Sequence, residues 1–147
     1  MTQEEKDLLL KDLCARLPYG VKVSAKYVDE IDAKEGKGRL SLIDSDLVIA
    51  FVDEIENNNS FTYVALHEVK PYLFPLLSMT EKQRKEYEDA LTYHDYVKGG
   101  WTIAKSFDDE YIIPYWFVDF CNKNHFDYRG LIEKGLAIDA TGLNIYN

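Results

Sequence analysis

The chain has 147 residues, a formal net charge of −9 and a pI of about 4.8. This acidic balance argues against a protein whose main task is to bind nucleic acid or an anionic membrane through charge. The length favours a single domain over residues 1–147, and the apolar content of 46% excludes a mainly disordered chain.

The first predicted element is a helix that begins after Thr2 and ends near Leu17. Thr2 and Glu5 have the spacing of a capping box, in which each side chain bonds the other residue's backbone N–H. The acidic N-terminus lacks the basic residues and the long apolar run of a signal peptide, so we expect a cytoplasmic protein. The apolar stripe of this helix comprises Leu9, Leu10, Leu13, Cys14 and Leu17.

Four strands are predicted next, at Val21 to Val28, Arg39 to Ile43, Leu47 to Ile55 and Phe61 to Val69. Their apolar residues have mostly a period of two, which is typical of half-buried strands. Gly36-Lys37-Gly38 is predicted to be a turn. Short polar connections favour an antiparallel meander.

In the segment from Glu68 to Gly100, the period at which apolar residues recur changes from two residues to 3.6. Pro71 and Pro75 predict that neither a helix nor a central strand runs through residues 70–76. A helix is expected to begin at Ser78–Thr80 and to end at Gly99-Gly100, with either Thr80 and Gln83 or Ser78 and Glu81 as a capping box.

The remaining chain predicts a short strand over Trp101 to Ser106, a helix from Pro114 to Asn124 and a last helix from Asp127 to Gly135. The fold class expected is therefore α+β. It consists of an N-terminal helix, a four-stranded antiparallel meander and C-terminal helices packed on one face of the sheet.

Candidate functional residues are few. His94 and His125 each have a nearby carboxylate that can orient an imidazole, and Arg129 beside aromatic residues can clamp a carboxylate or phosphate. An interior ion pair that anchors the C-terminal segment is the alternative role for Arg129. The binding candidates are His94, His125, Tyr128 and Arg129; we predict no catalytic residue, metal site or cofactor.

Cys14 and Cys121 are too few and too far apart in the chain for a zinc site or a disulfide framework. They are expected to be buried free thiols, and a single disulfide is the alternative.

Three segments carry a resemblance: LLLKDLCARLPYGVKV, VKPYLFPLLSMTEKQRKEYE and NKNHFDYRGLIEKGLAIDA. In this order they resemble a family of short uncharacterised proteins of Bacteroides-type gut bacteria and their prophages or mobile elements. The resemblance implies a cytoplasmic accessory role. It provides no activity, substrate or catalytic residue that could be transferred to this chain.

The functional prediction is a non-catalytic interaction protein of a mobile element or prophage, with an unidentified protein partner. Neither direct nucleic-acid binding nor membrane binding is expected. One alternative is a small hydrolase that uses His94 or His125 with a carboxylate. The other is an acidic nucleic-acid mimic, which requires Asp29–Glu35, Asp53–Glu56 and Asp108–Glu110 to cluster in space.

Overall fold

The computed structural model describes residues 1–29, 31–44, 49–52, 62–86 and 115–146. Helix α1 spans Gln3–Arg16 and begins with the predicted capping box. Thr2 Oγ1 accepts a bond from the Glu5 N–H at 3.1 Å, and Glu5 Oε2 accepts one from the Thr2 N–H at 2.7 Å. These two bonds satisfy N–H groups that the first turn of a helix otherwise leaves unpaired.

The described strands form one sheet in the order β4-β3-β2-β1-β5-β6. β1 to β4 pair in antiparallel fashion in chain order, as predicted. The expectation of a purely antiparallel sheet is wrong, because β5 continues the sheet beyond β1 and pairs in parallel with β6. The strands are β1 (Lys22–Asp29), β2 (Asp32–Asp44), β3 (Ile49–Val52), β4 (Thr62–Ala65), β5 (Val69–Leu73) and β6 (Ile138–Asp139).

The predicted turn at Gly36-Lys37-Gly38 is wrong, because both glycines lie inside the 13-residue strand β2. Gly36 pairs with Ala25 and Gly38 pairs with Val23, and all four residues are buried. The glycines therefore occupy core-facing positions of a regular strand. Because glycine has no side chain, the sequence here lacks the apolar residues that normally alternate with polar ones in a half-buried strand.

The prediction that no central strand runs through residues 70–76 is also wrong, because β5 lies between β1 and β6 and extends to Leu73. β5 includes Pro71, which lies opposite Val23 on β1. On its other side β5 pairs with β6 only at Tyr72 and Leu73. β1 pairs with β5 only over Val69, Lys70 and Pro71, so Pro71 lies where β5 has a single partner strand, and its missing N–H is tolerated as it is in an edge strand.

The buried face of α1 differs by about a quarter turn from the predicted stripe. Its buried residues are Leu9, Asp12, Leu13 and Arg16, whereas Cys14 is exposed. Leu9 and Leu13 join the main hydrophobic core, which takes residues from β1, β2, β4, β5 and the C-terminal segment.

Helix α2 (Tyr115–Lys123) belongs to a second, aromatic cluster that contains Phe117, Phe120, Cys121, Phe126 and Tyr128. The short helix predicted after Asp127 is replaced by turns over residues 131–135. The Asp127 carboxylate nevertheless caps these turns, because its oxygens accept the N–H groups of Leu131 at 2.9 Å and Ile132 at 2.8 Å.

The capping box of the middle helix is present. Thr80 N–H bonds Gln83 Oε1 at 2.9 Å, Gln83 N–H bonds Thr80 Oγ1 at 3.2 Å, and residues 81–86 are helical. The remainder of that helix, the Gly99-Gly100 stop and the strand predicted at Trp101 to Ser106 lie outside the described residues.

Candidate functional site

An ion pair buried inside α1 is the centre of the most polar part of the interior. Asp12 and Arg16 are both fully buried, and Arg16 Nε lies 2.8 Å from Asp12 Oδ2. The other guanidinium nitrogens of Arg16 reach backbone carbonyls, Nη2 donating to Phe126 at 2.6 Å and Nη1 to Cys121 at 3.4 Å. Arg16 thus ties the end of α1 to the end of α2 and to the segment that follows it.

A second arginine approaches the same carboxylate from the C-terminal segment. Arg129 Nε lies 3.2 Å from Asp12 Oδ1, which is ion-pair distance, although the orientation of the two groups does not make this contact a hydrogen bond. Burial raises the pKa of the Asp12 carboxyl, and the two guanidinium groups oppose this shift. Two cations, Arg16 and Arg129, thus face the Asp12 carboxylate, and Asp127 adds a second negative charge nearby.

Tyr128 lies between the two arginines. Its ring centroid is 5.3 Å from Arg16 Cζ and 4.7 Å from Arg129 Cζ, and its hydroxyl accepts a bond from Arg129 Nη2 at 2.8 Å. The electron-rich face of an aromatic ring attracts a guanidinium group, so Tyr128 adds a favourable contact for both arginines. Burial raises the pKa of Tyr128, which keeps its hydroxyl protonated at neutral pH.

His125 occupies an unusual backbone position and is stacked on Tyr146. Its φ angle is 61°, and its ring lies 3.8 Å from the Tyr146 ring at an interplanar angle of 9°. Burial, together with the nearby positive charge of Arg16, lowers the pKa of His125 to about 4. The imidazole is therefore neutral at physiological pH, and the carboxylate of Asp127 is engaged with backbone N–H groups as a cap.

The hydroxyl of Tyr146 extends the sheet where β1 and β5 separate. It accepts a bond from the Lys22 N–H at 3.1 Å and donates one to the Tyr72 carbonyl at 2.7 Å. A neutral hydroxyl is needed for both bonds, and burial raises the pKa of Tyr146 accordingly. The stacked pair of Tyr146 and His125 thereby fastens the C-terminal tail to the sheet.

The structure thus brings three of the four candidate residues, His125, Tyr128 and Arg129, into one interior cluster, while His94 lies outside the described residues. Sequence reasoning missed Asp12 and Arg16. Their spacing of four along a helix, in phase with Leu9 and Leu13, was the signal that could have identified them.

The two cysteines are free and lie in different environments. Cys121 is fully buried, and desolvation raises the pKa of its thiol to about 12. The expectation of a buried thiol holds for Cys121 and is wrong for Cys14, which is exposed on α1.

A second site of interest lies on the face of the sheet opposite the main core. The pairs Lys22↔Arg39, Ser24↔Lys37, Lys26↔Glu35 and Ser24↔Lys70 place these side chains on one face, because paired residues point the same way. We call this surface the basic face; its cationic residues are Lys22, Lys26, Lys37, Arg39 and Lys70.

The basic face contains a depression of about 210 Å³. The strands contribute Ser24, Lys26, Glu35 and Lys70, the 3₁₀ turn Leu66–Glu68 contributes His67 and Glu68, and Ile138 adds an apolar wall. Ser24 donates its hydroxyl hydrogen to Glu35 Oε1 at 2.8 Å. The depression therefore offers ammonium, carboxylate and imidazole groups at the surface.

Comparison with known proteins found no matching family model, no matching curated protein and no matching solved structure. Within the described ranges, no helix has the length and apolar character needed to cross a membrane. In the same ranges, no three His, Cys, Asp or Glu side chains are grouped so that they could hold a metal ion.

Proposed function

We propose that this chain is a non-catalytic interaction protein that binds a protein partner through the face of its sheet opposite the core. The observation that carries this proposal is the exposure of side chains along that face. Lys26, Lys37 and Lys70 are exposed on β1, β2 and β5, while Leu42 and Tyr63 expose 53% and 65% of their surface on β2 and β4.

The exposed apolar pair lies in a single row across the strands. Leu42 pairs with Phe51, and Phe51 pairs with Tyr63. The two positions are two strand spacings, or about 10 Å, apart. Exposed leucine and tyrosine side chains in one row of a sheet, beside charged residues, are typical of an interaction surface, since tyrosine supplies a large contact area at low entropic cost.

The interior cluster around Asp12 has a structural role, and this is consistent with a non-catalytic protein. Arg16 bonds Asp12 and two backbone carbonyls, Arg129 forms an ion pair with Asp12, and His125 is stacked on Tyr146. These groups hold α1, α2 and the C-terminal segment together, and so they supply a rigid support for the sheet.

We further propose a cytoplasmic setting and an accessory role in a mobile element or prophage, in keeping with the segments quoted above. A pull-down tests the interaction proposal. The tagged full-length protein is incubated with lysate of the organism that encodes it and is washed at low and at high salt. A partner retained in stoichiometric amount is the expected result, and no retained partner at either salt concentration would overturn the proposal.

A further inference from the structure

The basic face has the opposite sign to the chain as a whole. The chain has a net charge of −9, yet the register of β1, β2 and β5 gathers five cationic residues around Ser24. Glu35, opposite Lys26, is the acidic residue at these paired positions. Strand spacing places these positions within roughly 10 by 14 Å. A local field of this kind selects partners by charge, even on an acidic protein.

Like charges are also placed directly opposite each other. Lys22 pairs with Arg39 across β1 and β2, and directly opposed like charges destabilise a sheet. Lys26 lies opposite Glu35, and Ser24 lies opposite both Lys37 and Lys70, so Lys22 and Arg39 are the like-charged pair among these positions.

Resting on the proposed function, we infer that the basic face binds an acidic segment of a protein partner, with apolar residues interleaved among its carboxylates. The cations meet the carboxylates, while Ile138 at the depression and Leu42 further along β2 contact the apolar residues.

Two features favour a short protein segment over a nucleic acid. The net charge of −9 repels a long polyphosphate at distances beyond the face itself. The apolar side chains Ile138 and Leu42 complement aliphatic side chains better than they complement phosphates or sugars.

Fluorescence anisotropy with the full chain tests this inference. The probes are a labelled peptide of Asp, Glu, Leu and Ser residues, a matched peptide in which Asn and Gln replace the acids, and a labelled oligo-dT of equal length. We expect the acidic peptide to bind more tightly than both other probes, and to weaken as salt screens the charges.

Two pairs of charge reversals locate the site. Lys26→Glu with Lys70→Glu is expected to weaken binding of the acidic peptide about tenfold, since two attractions become two repulsions. The matched control is Lys82→Glu with Lys85→Glu, which makes the same change of net charge at exposed positions in helical residues 81–86. The control is expected to change the affinity less than about twofold.

Thermal melting of both variants verifies that they fold, and Lys26→Gln with Lys70→Gln gives a milder pair, expected to weaken binding about threefold. Equal losses in the two charge-reversed variants, tighter binding of oligo-dT, or no preference for the acidic peptide would overturn the inference. A partner captured from lysate as well by the Lys26→Glu, Lys70→Glu variant as by the native chain would overturn it too, while leaving the interaction function intact.

Discussion

Replacement of Arg16 by methionine provides the most demanding test of the interior cluster. Methionine keeps much of the volume but removes the charge that faces Asp12 at 2.8 Å. It also removes the donors to the carbonyls of Cys121 and Phe126. Breaking a buried ion pair by removing one partner costs about 3–5 kcal/mol, because the remaining charge stays buried without full compensation.

This loss is large for a single domain, whose free energy of unfolding is about 5–15 kcal/mol. For a chain of this length each kcal/mol lowers Tm by about 2–4 °C, so we expect a decrease of about 6–20 °C. Thermal unfolding followed by circular dichroism measures it, and urea unfolding gives the free energy independently.

The matched control is Arg84→Met, the same chemical change at an exposed arginine in helical residues 81–86. We expect this variant to stay within about 0.5 kcal/mol of the native protein. A Tm for Arg16→Met within about 3 °C of the native value would refute the reasoning, because it would mean that Arg129 alone compensates the Asp12 carboxylate.

Three further predictions concern the C-terminal segment and the thiols. Tyr146→Phe removes both bonds of its hydroxyl and should cost about 1–3 kcal/mol in urea unfolding, whereas Tyr19→Phe, at an exposed tyrosine, should cost little; equal effects would contradict the bridge. The pKa of His125 falls from 6.5 to about 4 on folding. The contribution of His125 to the free energy of unfolding is therefore complete above pH 6.5 and is lost as the pH falls towards 4. This loss is about 2 kcal/mol after allowance for partial exposure of the ring, and His125→Asn, which tolerates the positive φ, should abolish that part of the pH dependence; an unchanged profile would contradict the assignment. An aromatic disulfide reagent should titrate Cys14 in the native protein and Cys121 only after unfolding, and rapid native reaction of both thiols would show that α2 does not bury Cys121.

The elements that depend on neighbouring residues were predictable. The Thr2–Glu5 and Thr80–Gln83 capping boxes are present because capping is decided within four residues of chain. β1 to β4 were predictable for a similar reason, since their alternating pattern and short connections favour pairing with the next strand.

The wrong predictions for the sheet concern glycine and proline residues. These residues usually indicate turns or strand ends, but here they lie inside strands. Gly36 and Gly38 are typical turn residues, but the buried positions opposite Ala25 and Val23 accommodate them inside β2. Pro71 is typical of a strand end, but it lies where β5 has β1 as its neighbour and β6 has yet to begin. Local patterns do not show which partner strand will lie alongside.

The interior cluster and the basic face were less accessible to sequence reasoning. Charged residues are rarely buried unless paired, and the predicted apolar stripe of α1 did not include Asp12 or Arg16. Their burial depends on carbonyls 105 and 110 residues further along the chain from Arg16. The cations of the basic face are spread from Lys22 to Lys70, and the strand register is what brings them together.

Lysine footprinting of the full chain is the most direct test of whether the protein partner binds the basic face. The protein is acetylated under limiting conditions, alone and in complex with the partner captured from lysate, and each site is quantified by mass spectrometry. The account predicts that the complex protects Lys26, Lys37 and Lys70 and leaves Lys82 and Lys85 as reactive as in the free protein. Protection of Lys82 and Lys85 with unchanged reactivity at Lys26, Lys37 and Lys70 would contradict it, because the partner would then lie on another surface.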